Sequence, residues 1–235
     1  MPTVLLVRHG RSAANVTAVL AGRTPGVLLD ETGQTQAAEL AARLAVVPLA
    51  AVVSSPLERC TATAAALVAG REPLTVTLDE RLIECDYGDW TNKELKTLFK
   101  EPQWKAVQAH PSSVQFPSGE TMRAMQARAV DAVRDWEARI AAEHGPDAVW
   151  VAVSHADVIK SVLADALGAH LDEFQRIVVD PASVSVVRFT ELRPFVIKIN
   201  DNGGSLSNLI PPKRKRSRRA PPSDAVVGGT TVATT

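Results

Sequence analysis

The sequence predicts an α/β fold: a mostly parallel central sheet with helices on both faces, followed by a disordered C-terminal tail. Short runs of β-branched and aliphatic residues recur with amphipathic segments between them, the alternation that builds parallel sheets. The strand-like runs are apolar throughout, as strands covered on both faces must be. With 46% apolar and 22% charged residues, a chain of 235 suits one domain of about 200 residues plus a tail.

Residues 3–7 (Thr-Val-Leu-Leu-Val) read as the first buried strand. Residues 32–46 are helical in pattern, with Ala37, Leu40, Ala41 and Leu44 on one face. Residues 51–54 form the next strand, and Pro56 suits the first position of a helix running to about residue 69. A third strand is expected at 74–78. Helices are expected at 92–100 and 120–143, the second capped by Ser118. Residues 149–153 are a strongly apolar strand, and a helix follows over 157–167. Two closing strands, 183–189 and 195–199, join around Pro194. The domain is placed at residues 1–200. From 201 to 235 the chain turns to Gly, Pro and a basic cluster, with too little apolar surface to offset ordering entropy.

The first strand stops at Arg8-His9-Gly10, followed by the polar residues Arg11, Ser12 and Asn15. Ligands of α/β sheets collect beyond the carboxyl ends of strands, and a histidine with an arginine there suits an anion. The strand at 149–153 ends the same way, at Ser154-His155. The strand at 51–54 ends at Ser54-Ser55-Pro56, which puts Arg59 in the first turn of a helix near the same edge. The fourth element is the acidic loop from Arg81 to Trp90, which contains Glu84, Asp86 and Asp89.

These four segments, in this order over residues 4 to about 160, resemble the histidine phosphatase superfamily, which includes the phosphoglycerate mutases. The resemblance implies a phosphoglycerate mutase-like sheet and a phosphohistidine formed on His9. Histidine is an effective covalent nucleophile once its other ring nitrogen is held, and the Gly10 carbonyl is the expected holder. It further implies that Arg8, Arg59 and His155 clamp the phosphoryl oxygens and that Glu84, ahead of Asp86 and Asp89, exchanges protons with leaving group and water. Ser12 and Asn15 fall at positions that add neutral hydrogen bonds, and Gly22 in a loop that lines the pocket.

Mutases of this family typically carry Glu-Arg-His-Tyr-Gly, whereas this chain has Glu84-Cys85-Asp86-Tyr87-Gly88, with no arginine pair following. Pro117-Ser118-Gly119-Glu120 looks like the family's broad phosphatase branch. A metal-independent phosphomonoester hydrolase acting on a small phosphorylated substrate is therefore expected, with no cofactor. A phosphomutase is the alternative, and a non-catalytic binding protein that keeps the fold is a third. Trp90, Phe99 and Trp104 are read as an apolar pocket wall or as lid packing. No Cys or His spacing matches a metal site. His110, His144 and His170 are expected at the surface.

Two cysteines, Cys60 and Cys85, are too few for a disulfide scaffold and fit the reducing cytoplasm. Each neighbours a site residue in sequence, and each is expected to face away from the site. No run is long enough for a membrane span, and Arg8 interrupts any secretory pattern. Zero net charge hides an asymmetry: residues 211–235 hold six basic groups, Lys213 to Arg219, against Asp224. Such a cluster suits an anionic partner. A homodimer is expected from the resemblance.

Overall fold

The computed structural model describes residues 2–204. Apart from residues 201–204, the expected tail with its basic cluster lies outside the described residues. In chain order the elements are β1 (Thr3–Arg8), α1 (Ala13–Thr17), α2 (Glu31–Arg43), β2 (Leu49–Ser54), α3 (Glu58–Val68), β3 (Val76–Leu78), α4 (Leu95–Leu98), α5 (Trp104–Ala109), α6 (Met122–His144), β4 (Val149–Ser154), α7 (Ala156–Ala166), β5 (Val184–Arg188) and β6 (Phe195–Asp201).

The strands form one sheet in the order β3-β2-β4-β1-β5-β6. The first four are mutually parallel, while at one side β5 runs antiparallel to β1 and β6 antiparallel to β5. Alternation of side chains along the central strands explains the layering. Val4 and Leu6 of β1, with Trp150 and Ala152 of β4, enter one core, which α6 and α7 cover with Met125, Val133, Ile159 and Leu163. Leu5, Val7, Val151 and Val153 enter the other, which α2 and α3 cover with Leu40, Ala64 and Leu67. Each such buried side chain contributes about 1.5–3 kcal/mol, so the continuous apolar runs are what hold β1 and β4 at the centre.

Element boundaries moved where local chemistry outweighed periodicity. Asp30 accepts from Gly33 N at 2.7 Å, so α2 starts at Glu31, and residues 44–46 close it as a 3-10 turn. Leu57 is extended (φ −68°, ψ 139°), so α3 starts at Glu58 and not at Pro56. The expected strand at 74–78 shortens because Leu74 closes a turn onto Arg71 O at 2.9 Å. The expected helix at 92–100 contracts to α4, since Asn92 has φ 64° and its amide bonds Leu20 O. Thr121, not Ser118, caps α6 by accepting from Ala124 N at 3.0 Å, and Ser118 sits at φ 57° in the preceding turn. β6 runs one residue past the expected domain end at 200.

Candidate active site

Parallel register brings the site together. Arg8 of β1 pairs with Ser154 of β4, and Ser54 of β2 with Val153. His9, His155 and Ser55, each one residue beyond a strand, therefore emerge side by side at the carboxyl edge. The backbone ties them there: His9 N donates to Ser154 O at 3.0 Å and Ser55 N to Val153 O at 2.9 Å. The rings of His9 and His155 meet edge to face, with centroids 5.3 Å apart.

His9 is buried, and its Nδ1 lies 2.7 Å from Gly10 O. Burial, then the charges of Arg59 and Arg8, hold its pKa well below the ordinary 6.5. A neutral ring beside a carbonyl must donate from Nδ1, which leaves the Nε2 lone pair for an electrophile. Gly10 is held in turn by Thr63, whose Oγ1 accepts from its amide at 3.1 Å. A side chain on Gly10 would put its Cβ 2.5 Å from Gly33 O, so only glycine fits between the strand end and α2.

Arg59 enters from the first turn of α3. Its Nη2 donates to Gly22 O at 2.8 Å, while its buried Nη1 has no hydrogen-bond partner among the described residues. An unsatisfied guanidinium N–H beside the histidines is what an anion site requires. Gly22 has φ 52°, and a Cβ there would press on Tyr87 and Thr91 at 3.1 Å. Arg8 is buried behind the pocket, with Nη1 donating to Val179 O at 2.7 Å. Burial lowers its pKa, against the pull of Glu84, Asp180 and Asp157.

Glu84 is also buried. Its Oε1 accepts from Cys85 N at 2.9 Å, and its Oε2 lies 3.8 Å from His155 Nδ1. Burial and then the charge of Asp157 raise its pKa to about 7. His155 is held well below 6.5 by burial and by Arg59, so the two form no ion pair. Of the three acids in this loop, Glu84 alone borders the cavity with His9 and Arg59. Asp86 instead accepts from Gly88 N at 3.0 Å, and Asp89 is exposed.

Ser12, Asn15 and Gly22 line the same cavity. Asn15 Oδ1 accepts from Ser12 N at 2.9 Å and Oγ at 3.0 Å, so the two form one polar corner. Trp90, Phe99 and Trp104 stack on one another away from this cavity, Trp90 and Trp104 at 6.0 Å. His110, His144 and His170 are exposed. No group of three or more His, Cys, Asp or Glu among the described residues could hold a metal ion. No helix among them is long and apolar enough to cross a membrane.

A family model for the histidine phosphatase superfamily (branch 1) matches residues 4–202. The chain belongs to this superfamily. It is 31% identical over 206 residues to phosphoserine phosphatase 1 of Hydrogenobacter thermophilus, spanning 85% of this chain and 92% of that one. Bacillus stearothermophilus YhfR superposes with a TM-score of 0.77 at 27% identity, covering 86% of this chain and 98% of its own. A mycobacterial glucosyl-3-phosphoglycerate phosphatase shares the fold, with a TM-score of 0.76 at 24% identity over 85% and 99% of the two chains. This member of the superfamily is a phosphatase.

The supports of the site were not read from the sequence. Arg128 of α6 donates to Arg81 O and Ile83 O at 2.7 Å and to Glu84 O at 3.1 Å, which holds the acid's loop. Arg23 donates to Glu84 O at 2.8 Å, and Glu120 bridges both arginines at 3.0 and 2.7 Å. Tyr87 OH donates to the buried Asp157 at 2.8 Å. Cys60 touches a site residue from behind: its Sγ lies 3.4 Å from His155 Nε2. Its burial pushes the thiol up to about 12, so it is unreactive.

Proposed function

We propose that the protein hydrolyses small phosphomonoesters through a phosphohistidine on His9, without a metal. The observation that carries this reading is the neutral His9, whose Nδ1 is taken up by Gly10 O so that Nε2 keeps the lone pair, beside an Arg59 Nη1 that is unpartnered among the described residues. Nε2 attacks phosphorus, the P–O bond to the alcohol breaks, and the leaving oxygen takes the proton of Glu84. The Glu84 carboxylate then takes a proton from water, whose oxygen attacks phosphorus as the P–N bond breaks, releasing phosphate. A carboxyl with a pKa near 7 suits both steps. Arg8, Arg59 and His155 stabilise the charge on the equatorial oxygens, one such donor supplying about 3 kcal/mol. Ser12, Asn15 and Gly22 complete the substrate side.

Water is favoured over a second substrate as acceptor. Where mutases carry Arg-His, this chain has a buried Cys85 and an Asp86 turned to Gly88 N and Arg23, so neither position offers a cation to a further phosphate or acid. The cytoplasm suits a chain whose two cysteines are free, buried thiols.

The test is phosphate release from a panel of monoesters, with phosphoserine first because a relative is named for it, by wild type and His9→Ala with chelator present. Release by wild type alone is expected. No release by either, or equal release by both, overturns the reading, and transfer to a second substrate's hydroxyl turns it into the mutase.

A further inference from the structure

His155 serves a phosphoryl site as a neutral donor only when its single N–H points into that site. The partner of the far nitrogen decides which nitrogen carries the proton. Nδ1 is the inward nitrogen, 3.8 Å from Glu84 Oε2. Nε2 lies 2.8 Å from Ser55 Oγ, and Cys60 Sγ touches the ring 3.4 Å from Nε2 and 3.9 Å from Nδ1. Ser55, Cys60 and His155 are all fully buried.

The hydroxyl and the thiol are not equivalent partners. Ser55 Oγ accepts from Leu57 N at 3.4 Å and also reaches the Cys60 thiol, so its one O–H is open to Nε2 or to Sγ, and the imidazole nitrogen, much the stronger acceptor and only 2.8 Å away, takes it. The Cys60 thiol directs its proton to Ser154 O at 3.5 Å and is a weak partner in any case. We infer that Ser55 is a positioning residue that selects the Nδ1–H tautomer of His155 and so makes this histidine a donor toward the phosphoryl group.

The consequence is a pair of neutral imidazoles in opposite tautomers, 5.3 Å apart. Gly10 O draws the proton of His9 to Nδ1 on the side away from the pocket, which exposes a lone pair. Ser55 fills the outer nitrogen of His155 with a donated hydrogen bond, which exposes an N–H. The reverse tautomer of His155 would aim a lone pair at Glu84 and at any bound anion. This inference rests on the phosphoryl-site reading for its purpose, but the tautomer is a property of the ligand-free protein and is measured without turnover.

The test is nitrogen-15 multiple-bond correlation NMR on the full chain labelled at histidine, with His155 assigned from the signal lost in His155→Asn. Wild type is expected to show His155 protonated at Nδ1 and bare at Nε2. Ser55→Ala is expected to populate the Nε2–H form and to bind orthovanadate about tenfold more weakly, as loss of one hydrogen bond of ordinary worth implies. Cys60→Ala is expected to keep the wild-type pattern. An Nε2–H signal in wild type overturns the inference, whether or not the variants fold. So does an unchanged tautomer in Ser55→Ala, or a switch in Cys60→Ala alone.

Discussion

The two ends of the parallel strands make opposite uses of their side chains. At the amino end, residues 45–51 with Arg71, Trp136 and Arg139 line an open groove of about 930 Å³. At the carboxyl end, His9, Arg59 and Glu84 border a cavity of about 30 Å³. The larger space holds no buried charge: Arg71 donates to Val47 O at 2.8 Å and Arg139 lies exposed over the Trp136 ring at 4.1 Å. His9, Arg59 and Glu84 border the smaller one, and Arg8 and His155 lie beside them, all five buried. Burying five titratable groups is costly unless they are paired or used, so their convergence marks the site better than cavity size does.

Substitutions at the carboxyl end are expected to strike activity first. Arg59→Ala removes the unpartnered Nη1 and is expected to lower kcat by about 10²–10³-fold, read by steady-state phosphate release. A loss under threefold would put the phosphoryl group elsewhere.

Glu84→Gln is expected to cost about 10²-fold on alkyl phosphates and far less on p-nitrophenyl phosphate, whose leaving group needs no proton. For wild type on alkyl phosphates, kcat/KM is expected to fall above about pH 7, where Glu84 loses its proton. The acid limb belongs to His9 and lies well below 6.5. The same substitution affects stability with a definite sign. Glu84 titrates near 7 when folded against 4.5 when free, so wild type loses stability as pH rises between these values. The glutamine variant has no proton to lose. Relative to wild type it is expected to gain on the order of 3 kcal/mol well above pH 7 in urea unfolding, and nothing below pH 4.5. A variant destabilised at pH 8 would mean that Arg8 and Arg59 need the carboxylate more than burial penalises it.

The smallest effect belongs to the amino end. Arg139→Ala removes a cation–π contact at an exposed site and is expected to cost about 0.5–1 kcal/mol of stability, leaving kcat/KM within about twofold. A large loss of activity from this groove would erase the contrast between the two ends.

What was legible in the sequence follows the same division. β1 and β4 were readable because both faces are buried, and their polar ends stood out against unbroken apolar runs. That pattern marked Arg8, His9 and His155 as an anion-site edge, and spacing from Pro56 put Arg59 near it. Their roles, and the choice of Glu84, needed the family resemblance, because a helix arginine and a loop acid have no periodicity of their own. Arg23, Glu120 and Arg128 stayed unread because they act across 34 to 97 positions in the chain, through bonds that only the folded loop creates. The helix expected over 92–100 was misjudged for a related reason. Asn92 takes φ 64° and its amide bonds Leu20 O, a contact 72 positions away that overrides local helical pattern.

The central claim is that His9 carries the phosphoryl group between substrate and water. Rapid quench of the wild-type enzyme with a phosphorus-32-labelled monoester it hydrolyses tests this most directly. The account predicts an acid-labile, alkali-stable label on Nε2 of His9, formed before the first turnover ends and absent from His9→Ala. Full turnover by the wild type with no label on His9, or the same label on His9→Ala, would contradict it.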